Sequence, residues 1–227
     1  MTVEPGIDLA VRMAELARAT AGPRTSEEIL AEVTAAAVEL IPGVDTAGVL
    51  LIRGNDFESV AATDDLPYRL DELQMKFQEG PCVQAALADL VVRTEDFRSE
   101  TRWPRYSPAA VELGVRSGMS FKLFTAERTA GALNLFGSQP RVWDNDDQTT
   151  GTVLAAHATA AILANQQGQQ LQTALLTRDR IGQAKGIIME RFRVDDVRAF
   201  DMLKQLSQES NTKLTDVAQK VIDTRQG

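Results

Sequence analysis

Apolar positions in the first part of the chain change from a helical period to an alternating one. Residues 7–20 and 26–41 carry apolar side chains every three or four positions, which predicts two amphipathic helices. Residues 46–52 and 58–63 instead alternate between apolar and polar side chains on either side of a turn at residues 53–56. This alternation predicts a hairpin of two antiparallel strands.

The middle of the chain adds a second hairpin and then returns to helix. Residues 71–77 predict a short helix, and residues 117–125 and 130–136 alternate as two further paired strands. From about Asp144 the chain is helical in pattern and rich in alanine. Helices mixed with antiparallel hairpins predict an α+β fold for residues 1–165.

A polar stretch at residues 165–170 separates this region from the end of the chain. It contains one glycine and no proline, so we expect the alanine-rich helix to continue through it into Leu171. A continuous helix would transmit rotation or sliding between the two regions, whereas a flexible linker would not.

Residues 166–227 predict an all-α domain of three short helices. Asp195 or Asp196 is placed to cap the second helix, and Asn211 or Thr212 to cap the third. Each helix carries one apolar stripe at helical spacing. The three stripes are Ile181, Ala184, Ile188 and Phe192; Ala199, Met202, Leu203 and Leu206; and Val217, Ala218, Val221 and Ile222.

Two glycines interrupt the first of these helices. Gly182 and Gly186 each cost the helix roughly 1 kcal/mol relative to alanine, so each needs a reason. One interpretation is that another helix packs closely against them. The other is that a nucleic-acid backbone approaches the helix beside Lys185. Both remain open at this stage.

Charge separates the two ends of the chain. Residues 171–227 carry ten basic and eight acidic residues, a net charge of +2, whereas residues 1–170 carry fourteen basic and twenty-four acidic residues, a net charge of −10. An acidic body repels nucleic acid at long range, so binding would need a local basic face. The candidates for that face are Arg178, Arg180, Lys185, Arg191, Arg193, Arg198, Lys204 and Lys213.

An ordered set of segments near the end of the chain resembles the ANTAR domain. The set comprises residues 181–191, which contain Ala184-Lys185-Gly186, then Ala199-Phe200 and residues 211–218. The resemblance covers about residues 171–224. It implies a three-helix module that binds a nascent RNA of two short hairpins and prevents transcription termination.

The same resemblance implies which side chains contact RNA. An exposed Lys185, with Arg191 and Lys213, would contact phosphates or loop bases, and Gln183 and Asn211 would read base edges. This region lacks tyrosine, so base stacking would be left to arginine or to Phe192, although Phe192 fits a core position better. The complete set of expected RNA-binding residues is Arg178, Arg180, Gln183, Lys185, Arg191, Asn211 and Lys213.

Apart from about the first twenty residues, the chain up to residue 165 resembles a GAF domain, an antiparallel sheet with helices on its faces. The segments that carry this resemblance are Glu79-Gly80-Pro81-Cys82, residues 100–104, residues 121–124 and residues 131–136. Together with the ANTAR-like end, the chain resembles the two-domain GAF–ANTAR antitermination regulators of actinobacteria. The resemblance implies a sensor at residues 1–165 that responds to a small-molecule effector, followed by an RNA-binding domain at residues 166–227.

The effector is not given by the fold. The chain has no Asn-Lys pair of the kind that GAF domains use for cyclic nucleotides, and Cys82 is followed by Val83 rather than by the histidine typical of bilin attachment. We therefore predict no cofactor. Cys82 is either activated at a helix start or buried and inert, and His157 is either a haem ligand or a packed side chain.

No enzyme signature occurs in the sequence. It has no phosphate-binding loop, nucleophile elbow or dinucleotide fingerprint, and its single cysteine and single histidine favour neither a zinc site nor a disulfide framework. The charges of Glu4, Asp8 and Arg12 argue against a signal peptide, and no apolar run reaches the length of a membrane span. We expect a cytoplasmic protein that is not an enzyme and has no membrane partner.

We also expect a homodimer. The apolar stripe of Leu9, Met13 and Leu16 and the alanine-rich stripe that follows Asp144 are difficult to bury in one domain, so they should pair across a two-fold axis. The alternative to RNA binding is a protein-interaction or dimerisation module. DNA binding is a weaker alternative because the last helix is not strongly basic. The second stripe consists of Ala156, Ala160 and Leu163.

Overall fold

The chain forms two compact units, Met1–Asn165 and Gln166–Gly227. The structure is a computed structural model that describes residues 9, 11–15, 18, 24–53, 56–87, 89–124 and 129–224. Of the predicted N-terminal helix, residues 11–15 are helical, and much of the remainder lies outside the described residues, as does the centre of the predicted turn at residues 53–56.

The first unit is built on one five-stranded antiparallel sheet. Its strand order is β2-β1-β5-β4-β3, so the two predicted hairpins lie side by side through the pairing of β1 with β5. This arrangement confirms the predicted α+β fold. The elements of the unit, in chain order, are α1 Ser26–Leu40, β1 Thr46–Arg53, β2 Asp56–Val60, α2 Leu66–Phe77, α3 Pro81–Leu87, β3 Val91–Thr94, α4 Tyr106–Glu112, β4 Ser117–Phe124, β5 Thr129–Gly137 and the beginning of α5 Asn145–Phe192.

Local sequence sets the start of α1 through a capping box. The Thr25 hydroxyl accepts a hydrogen bond from the Glu28 amide at 3.2 Å, and the Glu28 carboxylate accepts one from the Thr25 amide at 2.9 Å. Two otherwise unpaired helix-end groups are satisfied in this way. The hydrogen bond from the Thr25 amide is the main cause of a lowered pKa of Glu28.

Helices α1 and α5 cover one face of the sheet. Val33 of α1 and Leu154 of α5 are fully buried against strand residues such as Leu133 and Phe121. Gly151 permits this packing, because a Cβ atom there would lie 2.1 Å from the Phe121 ring. Ala155 and Ala158 of α5 pack closely against the sheet. Ala156 and Ala160 lie on the opposite side of the helix and are exposed.

Helices α2, α3 and α4 cover the other face. Their core is aromatic, and Phe97, Trp103 and Tyr106 meet in tilted and edge-to-face contacts with centroids 5.8–6.4 Å apart. The sequence patterns did not predict β3 or α4, and of α3 they indicated only a helix start near Cys82. The strand has only four residues and the helices seven each, so none is long enough to show a period.

Helix α5 is continuous from Asn145 to Phe192, as the polar stretch without proline predicts. Throughout the described part of the chain, no helix combines the length and the apolar character needed to cross a membrane.

The second unit contains the end of α5 together with α6 Asp196–Glu209 and α7 Leu214–Asp223. One core joins the three helices, as predicted, through Ala184, Ile188, Ala199, Leu203, Val217 and Ala218. The Asp195 carboxylate caps α6 by accepting a hydrogen bond from the Arg198 amide at 2.8 Å. Of the two expected caps for that helix, the structure therefore selects Asp195.

Three expectations for the core and the helix caps of the second unit are wrong. Phe192 and Leu206, both placed in apolar stripes, are 57% and 46% exposed. Phe192 is the last residue of α5 and is followed by Arg193 in the left-handed region, so the chain turns away before a helix can cover the ring. Neither Asn211 nor Thr212 caps α7, which begins after Lys213 without a side-chain cap. Asn211 instead has a φ of +48° just after α6.

Candidate functional site

Helices α5 and α6 meet at Lys185. The Lys185 ammonium forms an ion pair with the Asp196 carboxylate at the start of α6, and its Nζ lies 5.8 Å from the centroid of the Phe200 ring. The lysine side chain is 22% exposed, so the expectation of an exposed lysine is wrong. Ala184, next to Lys185, and Ala199, next to Phe200, belong to the same buried core, which is consistent with the start of α6 lying beside the lysine.

An open pocket of about 670 Å³ lies around this contact within the second unit. Three of the expected RNA-binding residues, Arg178, Gln183 and Lys185, line it together with Phe200. The other lining residues are Ala174, Thr177, Asp179, Ile181 and Gly182. The pocket therefore combines an aromatic ring, two cations, one carboxylate and an amide.

The remaining expected RNA-binding residues lie outside this pocket lining. Arg180, Arg191, Asn211 and Lys213 are all exposed on the second unit. The structure thus brings together three of the seven expected residues.

The two interrupting glycines have open space around them. A Cβ atom built at Gly182 or Gly186 meets no atom within 4 Å outside the helix's own backbone in the described residues. Close packing of a neighbouring helix, the first interpretation of these glycines, therefore does not explain them within this chain. The open space is consistent with the approach of another molecule.

Phe200 is the pocket residue that sequence reasoning missed. It follows the buried Ala199 and is 38% exposed. Within the sequence, two signals were available: Phe200 lies off the apolar stripe of α6, and Ala199-Phe200 is one of the segments that carry the ANTAR resemblance. The tertiary contact between α5 and α6 was needed to place its ring beside Lys185.

The interior of the first unit contains a second group of interacting polar side chains, centred on Asp71 of α2. Its carboxylate accepts hydrogen bonds from the Ser59 hydroxyl at 2.6 Å, from the Gln74 amide at 3.3 Å and from the Asn134 amide at 3.2 Å. Asn134 accepts in turn from the Ser120 hydroxyl at 2.7 Å. Burial raises the pKa of Asp71 to about 7, against the effect of these bonds.

Cys82 and Tyr106 lie near this carboxylate. Both are buried, and the pKa of each is raised by burial and by the neighbouring negative charge of Asp71. Of the two interpretations of Cys82, an activated thiol or a buried and inert one, the structure favours the buried and inert thiol. The Tyr106 and Ser107 hydroxyls have no hydrogen-bond partner among the described residues, and His157 on α5 is half-buried.

Two protein family models match separate parts of the chain. The GAF domain family model matches residues 23–163, and the ANTAR domain model matches residues 169–222. No curated protein matches the chain by sequence.

Solved structures with the same fold are distant in sequence. The GAF domain of a phosphoenolpyruvate-protein phosphotransferase from Coxiella burnetii is 14% identical with a TM-score of 0.60, covering 72% of this chain and 98% of that one. The free methionine-R-sulfoxide reductase from Neisseria meningitidis, solved with its substrate, is 16% identical with a TM-score of 0.54, covering 74% and 96%. A domain of a sensor histidine kinase protein from Sinorhizobium meliloti 1021 is 15% identical with a TM-score of 0.54, covering 64% and 96%. At these identities the likeness shows the fold alone.

The family model that spans residues 23–163 covers more than half of the sequence, and the chain belongs to the GAF domain family. The ANTAR match that follows it, on the three-helix unit, makes the chain a two-domain GAF–ANTAR protein, an architecture that is typically regulatory.

Proposed function

We propose that this protein is an RNA-binding transcription antitermination regulator, in which the GAF domain at residues 1–165 controls the ANTAR domain at residues 166–227. The ANTAR domain binds a nascent RNA with two hairpins, as in the actinobacterial regulators that the sequence resembles. The pocket between α5 and α6 carries the proposal, because Arg178, Gln183 and Lys185 all line it.

The charge distribution supports a local rather than a general attraction for RNA. The ANTAR domain carries a small positive charge and the rest of the chain a large negative one, so phosphates are attracted where cations cluster. At Lys185 a phosphate would replace Asp196 as the partner of the ammonium. The exposed Arg180, Arg191, Asn211 and Lys213 would extend the contact beyond the pocket.

We propose a sensory rather than a catalytic role for the GAF domain. Its fold is shared with a methionine sulfoxide reductase, but the single cysteine of this chain is buried, and the raised pKa of its thiol disfavours the reactive thiolate. A small-molecule effector of the GAF domain and a cytoplasmic location, where nascent RNA is found, complete the proposal. No cofactor is assigned.

Substitution of the basic residues tests RNA binding directly. Lys185→Ala should weaken binding of a two-hairpin RNA by about 1–3 kcal/mol and reduce the salt dependence of log affinity by about one unit, because one phosphate contact is lost. Loss of the partly exposed ion pair with Asp196 should lower stability by no more than about 1 kcal/mol. Titrations at several salt concentrations, with calorimetry on the same samples, measure both effects.

Lys220→Ala is the matched control, because Lys220 is an exposed lysine of α7 that does not line the pocket. It removes the same charge and should leave the affinity nearly unchanged. Arg191→Ala tests the extended surface. Unchanged RNA binding and an unchanged salt slope in both Lys185→Ala and Arg191→Ala would contradict the proposal.

The second candidate function is a protein-interaction or dimerisation module without direct RNA binding. Exposed leucines favour it, since Leu171, Leu175 and Leu176 of α5 are 52–64% exposed. Such apolar residues are typical of helix pairing. Homodimerisation is also part of the main proposal, and absence of RNA binding together with a stable dimer would favour this second function.

A further inference from the structure

The pocket between α5 and α6 has the composition of a binding site for a flat, anionic group. Phe200 supplies a partly exposed aromatic ring, and Ala174 and Ile181 supply apolar surface. Arg178 and Lys185 supply two positive charges to the lining, and Asp179 supplies one negative charge. Its volume of about 670 Å³ lies within the roughly 300–1,000 Å³ of small-molecule sites.

Phe200 is not part of the buried core of the second unit, and its ring centroid lies 5.8 Å from the Lys185 ammonium. The buried residues of α6, Ala199 and Leu203, already form its contact with the core. An aromatic ring left 38% exposed beside two cations offers a stacking surface for a base, and stacking on aromatic rings is the usual way in which proteins hold unpaired bases.

The neighbouring residues suit the remaining parts of a nucleotide. Gln183 presents an amide that can both donate to and accept from a base edge. Arg178 and Lys185 can contact phosphates on either side of the base. Gly182 leaves open space at the pocket wall, where a side chain would narrow the entrance.

We propose that one unpaired base of an RNA hairpin loop enters this pocket and stacks on Phe200, with its edge read by Gln183 and its flanking phosphates held by Arg178 and Lys185. This inference rests on the proposed RNA-binding function and assigns the stacking role to Phe200. The Asp196 carboxylate, which pairs with Lys185, is displaced from the ammonium when the phosphate arrives.

A scan of loop nucleotides tests the proposal. In a two-hairpin RNA that the full chain binds, each loop nucleotide is replaced in turn by an abasic one. One abasic position should lower the affinity of the wild-type protein roughly tenfold, through loss of a single stacked base. In Phe200→Leu the intact RNA should bind roughly tenfold more weakly, and the same abasic replacement should cost little more.

Phe192→Leu is the matched control. Phe192 is also an exposed phenylalanine of the second unit, at 57%, but it does not line the pocket. Phe192→Leu should keep the full sensitivity to the abasic position, and thermal unfolding of both variants checks that they remain folded.

Phe200→Trp provides a second measurement that retains an aromatic ring. Its indole fluorescence should be quenched by the intact RNA and not by the RNA that is abasic at the sensitive position. The two native tryptophans, Trp103 and Trp143, are buried in the first unit and give a constant background.

The outcomes separate this inference from the proposed function. Tight RNA binding that tolerates every abasic position, or that keeps its abasic sensitivity in Phe200→Leu, would overturn the stacking pocket and leave RNA binding intact. Binding of a peptide partner at Phe200 with no RNA affinity in any variant would overturn both.

Discussion

Replacement of Gly182 by alanine should stabilise the ANTAR domain and weaken its RNA binding at the same time. Gly182 lies inside α5, where glycine costs roughly 1 kcal/mol relative to alanine. A Cβ atom at this position meets nothing within 4 Å outside the helix backbone, so no steric penalty offsets the gain. The substitution should therefore raise the free energy of unfolding by about 1 kcal/mol.

The opposite effect on RNA binding follows from the position of Gly182 in the pocket wall. An added methyl group occupies space that the proposed base or its backbone needs, beside Lys185 and Phe200. Calorimetry of the full chain should show an increase of roughly 4–8 °C in the melting temperature of the small domain. Titration of the same protein with a two-hairpin RNA should show weaker binding, by about tenfold or more if the contact is close.

Gly168→Ala is the control for the helix effect. Gly168 lies in the same helix, also has open space around its Cβ position and does not line the pocket. It should give a similar stabilisation without a change in RNA affinity. If Gly182→Ala stabilises the protein and binds RNA as tightly as the wild type, the close approach to Gly182 is refuted. If it destabilises the protein, the free space around Gly182 is filled by an additional partner, such as a second copy of the chain.

Two further predictions concern pH and assembly. Because folding raises the pKa of Asp71 from 3.8 to about 7, the stability linked to its proton is fully present below pH 4 and is lost as the pH rises through 7. Between pH 5 and pH 8 the free energy of unfolding of the wild type, measured with urea, should fall by roughly 2–3 kcal/mol more than that of Asp71→Asn. If the free energies of the two proteins change in parallel with pH, the pKa of Asp71 is not raised. Light scattering at micromolar concentration should give about twice the 24.8 kDa chain mass, and Leu171→Glu should shift it towards the monomer. A wild-type protein that is monomeric throughout would refute the homodimer.

Sequence alone identified the larger elements because their periods are long enough to read. The alternating apolar residues of β4 and β5 lie in the core of the first unit. The apolar stripes of the three helices in the second unit supply its core, which includes Ala184 and Val217. The stripe at Met13 is less informative than it appeared, because Met13 packs against the core of its own unit rather than being left for a partner.

The candidate site was only partly predictable. Residue types and spacing on one helix indicated Arg178, Gln183 and Lys185. The ion pair of Lys185 with Asp196 and the position of Phe200 depend on how two helices pack, which no local pattern specifies. The exposure of Phe192 has the same origin, since it depends on where α5 ends rather than on its spacing from Ile188.

The Asp196 carboxylate beside Lys185 is a competitor that dilution cannot remove. Any phosphate that reaches this lysine in the proposed complex must first replace an anion fixed to the same protein, whichever RNA carries it. Displacement of Asp196 reduces the binding free energy of every RNA by the same amount, so the differences in affinity between RNAs are unchanged. An RNA that offers only an isolated phosphate is then held too weakly to persist, whereas one that adds further contacts is retained. The pair would thus act as an affinity threshold, by which a domain with a net charge of only +2 selects among cellular RNAs without binding all of them.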